Sequence, residues 1–210
     1  QGCCGALNMH AGDLDGGREM ARRNIDALMA AGVDKIVTSS AGCGSAMKEY
    51  HDLLKDDHEY REKALQFSHL TVDITEFLVE LPFRAPAKSL PRKITYQDPC
   101  HLAHAQRITR APRTILRSIP GVELMEMENS SLCCGGAGIY STVQPELSGR
   151  LLRRKMASIA ETNAEEVVTA NPGCMLQIEQ GIKAQGSGEK VSHVVDILDE
   201  AYQLEEDSAV

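Results

Sequence analysis

The sequence has no run approaching the ~18 consecutive apolar residues that a membrane-spanning helix needs. Its first residues, QGCCGALNMHAGD, carry neither the basic start nor the apolar core of a secretory signal. It has no surplus of basic charge: 30 Asp and Glu stand against 22 Lys and Arg, a formal net charge of −8. That balance argues against a nucleic-acid partner, which would call for a basic face. No Ser-His-Asp pattern can be defended. The glycine-rich run Gly135-Gly136-Ala137-Gly138 lies in neither a dinucleotide-binding fingerprint nor a P-loop. What remains is 210 residues of ordinary globular composition, 42% hydrophobic and 25% charged, enough for one large domain or two small ones.

What the sequence does have is seven cysteines. Without a secretory signal a reducing compartment, the cytoplasm, is expected, and cysteines there bind metals or do chemistry more often than they form disulfides. Their arrangement repeats. Cys3-Cys4-Gly5 recurs as Cys133-Cys134-Gly135; Cys43 follows Cys4 by 39 residues and Cys174 follows Cys134 by 40. Each single cysteine comes after a β-like run and a glycine, Lys35 to Gly42 in one case and Glu166 to Gly173 in the other. Downstream, Ser68-His69-Leu70-Thr71-Val72-Asp73-Ile74 echoes Ser192-His193-Val194-Val195-Asp196-Ile197. Landmarks in one order at nearly one offset indicate a duplicated unit. The second copy has a further cysteine, Cys100, 33 residues before Cys133. The repeat predicts a matching cysteine upstream of Cys3, so the chain is expected to be the C-terminal part of a longer protein.

The periodicity predicts helices over 18–31, 46–54, 59–67 and 72–81, with a short strand over 33–38. In the second copy it predicts strands over 93–98, 122–127 and 166–170 and helices over 112–118, 145–162, 175–183 and 194–204. The alternation implies an α/β fold: two pseudo-symmetric repeats with short, largely parallel sheets flanked by helices. The expected division is a first repeat over 1–82, a proline-rich linker over 83–92, a second repeat over 93–204 and an acidic tail over 205–210 (Glu205, Glu206, Asp207), read as frayed. Cys100, the Cys133-Cys134 pair and Cys174 each follow a predicted strand, so all four thiols should converge on one sheet edge. Gly135, Gly136 and Gly138 would let the backbone turn and approach a ligand there.

Four soft thiolates suit an iron–sulfur cluster. Cys100, Cys133, Cys134 and Cys174 supply a full set; Cys3, Cys4 and Cys43 supply three of a second. Structural zinc also accepts four cysteines, although adjacent cysteines seldom aim both sulfurs at one small ion. A thiol–disulfide centre is a third reading, and seven inert buried cysteines a fourth. His101, beside Cys100, is a candidate hydrogen-bond donor to a ligating thiolate or an alternative ligand; His104 reads as an ordinary loop or helix residue. His69 and His193 read as capping or packing residues. Arg150, Arg153, Arg154 and Lys155 read as a solvated helix face.

The two CCG motifs, each followed some forty residues later by another cysteine, resemble the cysteine-rich CCG domain found in heterodisulfide reductases and in lactate, glycerol-3-phosphate and glycolate dehydrogenase complexes. Tyr96-Gln97-Asp98-Pro99-Cys100-His101-Leu102, Leu132 to Tyr140 and Ala170-Asn171-Pro172-Gly173-Cys174 look most like the glycolate oxidase iron–sulfur subunits. The resemblance implies an electron-relay subunit without the substrate-oxidising pocket. It implies [4Fe–4S]-type clusters, flavin-containing partner subunits that oxidise glycolate to glyoxylate, a quinone as distal acceptor and association with the inner face of the cell membrane. It also implies Cys100, Cys133, Cys134 and Cys174 as the second-copy ligands. Heterodisulfide reductases carry the last cysteine in a C-x₂-C pair, whereas here Cys43 is followed by Ala46 and Cys174 by Gln177. That departure favours plain four-cysteine ligation. The alternatives that stand beside it are heterodisulfide-type chemistry, a lactate or glycerol-3-phosphate dehydrogenase subunit, and a zinc-stabilised scaffold for partners.

Overall fold

Short runs rich in β-branched residues become strands, and amphipathic stretches between them become helices. In the computed structural model, which describes residues 2–206, these elements form two units, Gln1–Phe77 and Leu78–Val210. Asp207 and the remainder of the expected tail lie outside the described residues.

The first unit runs α1 (Ala6–His10), α2 (Leu14–Met29), β1 (Ile36–Thr38), α3 (Ala41–Lys48), α4 (Tyr50–Leu53), α5 (Arg61–Leu70) and β2 (Thr71–Asp73), and α6 (Ile74–Glu80) begins in it. β1 and β2 pair in parallel, Ile36 opposite Thr71 and Thr38 opposite Asp73. Asp13 caps α2 by accepting from the Gly16 N–H at 3.0 Å. The helices close over a core of Ile25, Met47, Tyr50, Leu54 and Phe67, with the rings of Tyr50 and Phe67 stacked at 5.2 Å.

The second unit contains β3 (Arg92–Tyr96), one π-helical turn (His101–Ala105), α7 (Arg110–Ser118), β4 (Val122–Met125), α8 (Tyr140–Val143), α9 (Pro145–Thr162), β5 (Glu166–Thr169), α10 (Pro172–Gln185), β6 (Lys190–His193) and α11 (Val194–Glu206). The four strands lie in the order β4-β3-β5-β6, and every neighbouring pair is parallel. β5 is buried along its whole length. Even Glu166 is inside, its carboxylate meeting Arg92 at 3.0 Å and the Ser192 hydroxyl. Met156 and Ile159 of α9 and Ile178 of α10 pack with Val167 beneath the sheet.

The expected α/β architecture with short parallel sheets is what forms, and its topology decides where ligands can bind. The chain leaves β3 towards β4 on one side and β5 towards β6 on the other. Adjacent strands whose connections diverge leave a crevice at their carboxyl ends. That crevice falls between the loops that carry Cys100 and Cys174.

Four sequence expectations are corrected. The helix expected over 72–81 is strand β2 followed by α6, because Thr71-Val72-Asp73 is held as a strand by its partner β1. Strand β6 is an addition; Lys190–His193 is too short and too mixed to show a period. The histidine echo is a coincidence of letters: His69 ends helix α5, whereas His193 ends strand β6. The residue that matches His193 in place is Asp73. Each ends its strand and accepts the N–H two residues on, Asp73 Oδ1 from Thr75 at 2.8 Å and His193 Nδ1 from Val195 at 3.2 Å. Glu205 is also tied down, accepting from Arg84 at 2.7 Å, so the described part of the tail is the last turn of α11 and is not frayed.

Candidate functional site

Each cysteine of the second unit is placed by the element after a strand. Cys100 follows β3 and precedes the π-helical turn. Its loop is fixed by Asp98, whose buried carboxylate accepts from Arg113 Nη1 at 2.8 Å and Nη2 at 2.7 Å; Arg113 in turn lies 5.0 Å over the Tyr96 ring. Cys133 and Cys134 occupy the loop after β4. Cys174 is the third residue of α10, where the helix N-terminus favours a thiolate.

The loop geometry depends on Gly135. Its φ is 94°, and a Cβ there would stand 2.5 Å from the Ser148 carbonyl oxygen, so only glycine fits. The Ser148 hydroxyl donates to Gly135 O at 2.8 Å and accepts from Gln177 at 3.1 Å. The close approach that glycine permits here is therefore to α9, and at Gly136 to the Gly173 carbonyl at the start of α10.

The structure brings all four sulfurs into one series of contacts: Cys100 with Cys133, Cys133 with Cys134, and Cys134 with Cys174. The thiols of Cys100 and Cys134 donate, which pushes both groups up; burial adds to this. Cys133 receives from both and is held well below the usual thiol range; Cys174 is lowered chiefly by Cys134. Further donors point at the same sulfurs: Gly135 N–H to Cys133 Sγ at 3.3 Å and Asn171 Nδ2 to Cys174 Sγ at 3.3 Å. Donors aimed at sulfur favour thiolates, the form that binds metals.

The sulfurs form a string and not a tight knot. Among the described residues no group of three or more His, Cys, Asp or Glu side chains is compact enough to hold a single ion. Four thiolates with N–H donors aimed at their sulfurs are the donor chemistry that an iron–sulfur cluster takes. An open pocket of about 320 Å³ lies against the string, lined by Cys100, His104, Asn129, Ser131, Leu132 and Cys133.

His101 is half-buried beside Cys100 and donates its backbone N–H towards that sulfur, while its ring, when charged, favours the Cys133 thiolate. His104 is exposed in the π-helical turn, with its ring 3.2 Å from Ser131 O, as expected of an ordinary loop or helix residue.

In the first unit Cys43 is the third residue of α3, as Cys174 is of α10. Cys4 and Cys43 are in contact: the Cys4 thiol donates, so it is pushed up while Cys43 is lowered to about 6. Cys3 is exposed and accepts from Gly5 N–H at 3.4 Å. The Cys3-Cys4 backbone is held by Asn24, donating to Cys3 O at 2.9 Å, and by Tyr50, donating to Cys4 O at 2.6 Å.

The sequence reading missed Arg113, Asn171, Asn24 and Tyr50, and it misplaced Lys155. Arg150, Arg153 and Arg154 are exposed, but Lys155 is wholly buried. The signal was available: Ser148, Leu152, Lys155 and Ile159 follow at helical spacing on the inward stripe of α9.

The cysteine-rich domain family, CCG, matches residues 1–48 and 94–179. The chain is 45% identical over 205 residues to the probable glycolate oxidase iron-sulfur subunit of Bacillus subtilis, covering 96% of this chain and 46% of that protein. It is 36% identical to the glycolate oxidase iron-sulfur subunit of Escherichia coli, covering 97% of this chain and 49% of that protein. It is 30% identical to lactate utilization protein A of a Geobacillus species, covering 94% of this chain and 83% of that protein. The chain thus spans about half the length of the glycolate oxidase relatives.

Proposed function

The chain belongs to the cysteine-rich CCG domain family, and from that premise we propose that it is the electron-carrying part of an iron–sulfur subunit of an oxidoreductase that acts on a 2-hydroxy acid, glycolate first. Cys100, Cys133, Cys134 and Cys174 would hold a cluster of the [4Fe–4S] kind. Such a cluster, when bound, supplies one-electron storage. The chain's own residues supply the rest. Asn171 and the Gly135 N–H stabilise thiolate charge, Gly135 and Ser148 shape the loop, and Asp98 with Arg113 fix the approach of Cys100. No residue here is assigned to substrate oxidation. Electrons would come from a flavin-containing partner subunit and leave towards a quinone at the cytoplasmic face of the membrane. No described helix is long and apolar enough to cross a membrane, so that placement would be peripheral.

The observation that carries the reading is the string of four sulfurs at the carboxyl edge of one parallel sheet. The test uses the purified complex, flavin subunit included, under anaerobic conditions. Addition of glycolate should bleach the iron–sulfur absorbance faster than lactate or glycerol 3-phosphate does. Bleaching by lactate alone would move the substrate to the lactate-type relatives.

The first unit favours a second reading for its own cysteines. Cys4 donates to a depressed Cys43, a pairing suited to thiol–disulfide exchange.

A further inference from the structure

Lys155 is 0% exposed. Its Nζ lies 2.8 Å from Ser130 O, 3.0 Å from Asn129 O and 3.9 Å from Met127 Sδ. Three acceptors match the three N–H bonds of an ammonium. All three belong to the segment that leads from β4 to Cys133. Among the described residues no carboxylate forms an ion pair with Lys155. Burial works against its charge, and the titratable groups that face it and favour that charge are the sulfurs of Cys134, Cys174 and Cys133, and Asp98. Asp98 is already neutralised by Arg113. The thiolates are left as the counter-charge of this buried cation.

The first unit solves the same problem without charge. Its helix α2, like α9, follows the cysteine pair and precedes a strand, but it reaches the cysteine backbone with Asn24, which also donates to Tyr50 Oη at 3.0 Å. A neutral clamp suffices to hold such a loop. The ammonium in the second unit therefore does something beyond clamping.

We propose that Lys155 is a tuning residue of the second site: a buried cation that raises the reduction potential of a centre held by Cys100, Cys133, Cys134 and Cys174, making the two repeats electrostatically unequal. The proposal rests on the iron–sulfur reading above. Accepting one electron adds one negative charge to the site. A positive charge fixed nearby in a poorly screened interior stabilises that added charge, and net local charge is one of the levers that set cluster potentials.

The test compares the anaerobically purified full chain with Lys155→Gln, Lys155→Met and Lys155→Arg by iron content and by an EPR-monitored redox titration. Lys155→Gln keeps N–H donors for the carbonyls and loses the charge. The midpoint should move to more negative potential in Lys155→Gln and Lys155→Met and stay near wild type in Lys155→Arg. An unmoved midpoint in Lys155→Gln at wild-type iron content overturns the proposal. If the two neutral variants fail to hold iron while Lys155→Arg holds it, the charge is required for assembly and the proposal stands; the reverse pattern overturns it. Wild-type chain without iron defeats the iron–sulfur reading itself. In that case, or if no variant holds iron, Lys155 is judged on the metal-free chain. Iodoacetamide should then label Cys133 and Cys174 severalfold more slowly in Lys155→Gln than in wild type, with Cys3 unchanged; equal rates overturn the proposal.

Discussion

Arg113 grips Asp98 with both terminal nitrogens, at 2.8 and 2.7 Å, two residues before Cys100. The pair is nearly buried, with side-chain exposures of 16% and 4%, so removing one partner strands the other in a poor solvent. Arg113→Met should cost roughly 3 kcal/mol in a urea unfolding experiment. It should also lower the iron content, because the loop that presents Cys100 loses its anchor. Wild-type stability in this variant would show that the ion pair does not hold the loop.

Gly135→Ala tests the loop from the other side. A side chain at a φ of 94° costs ~1–2 kcal/mol from backbone strain alone, and the clash with the Ser148 carbonyl adds to it. The variant should melt lower than wild type and lose visible absorbance. Gly2→Ala, where a Cβ meets nothing, is the matched control and should change neither.

In the first unit, the Tyr50 hydroxyl is what satisfies the buried Cys4 carbonyl, at 2.6 Å. Tyr50→Phe should cost about 1–3 kcal/mol, the usual penalty for leaving a buried acceptor without its donor. Thermal unfolding reads this directly, and an unchanged midpoint would contradict the contact.

Cys43 supplies a pH test. Its thiol is lowered to about 6, first of all by the Cys4 thiol that donates to it. In the metal-free chain its alkylation rate should rise as pH climbs through about 6 and level off well before the ordinary thiol range near 9.0. Cys4→Ala removes the donor, so the half-maximal pH should move upward. A profile that Cys4→Ala leaves in place would mean the two sulfurs do not interact.

Most of what positions this site was legible in the sequence, for physical reasons that can be named. The strands that carry it are β-branched and bounded by turn residues, and thiols placed after parallel strands must meet at one edge. The repeat marked the paired cysteines because each needs the same turn, with glycine at Gly5 and Gly135 in a positive-φ conformation. What stayed hidden depended on partners. β2 is a strand only because β1 lies beside it, and β6 only because β5 does. Asp73 and His193 share a role that letter matching assigned to other residues. Lys155 was misread because neighbouring arginines are solvated, although its spacing from Leu152 and Ile159 already put it on the inward stripe. Arg113 gave no local signal, since its partner lies on a different element.

The central claim is that Cys100, Cys133, Cys134 and Cys174 together hold an iron–sulfur centre. Its most direct test is the iron and acid-labile sulfide content of anaerobically purified wild-type and Cys134→Ser chains. The account predicts iron and sulfide in comparable amounts in the wild type and a large loss of both in the variant. Zinc without sulfide, or equal iron and sulfide in the two proteins, would contradict it.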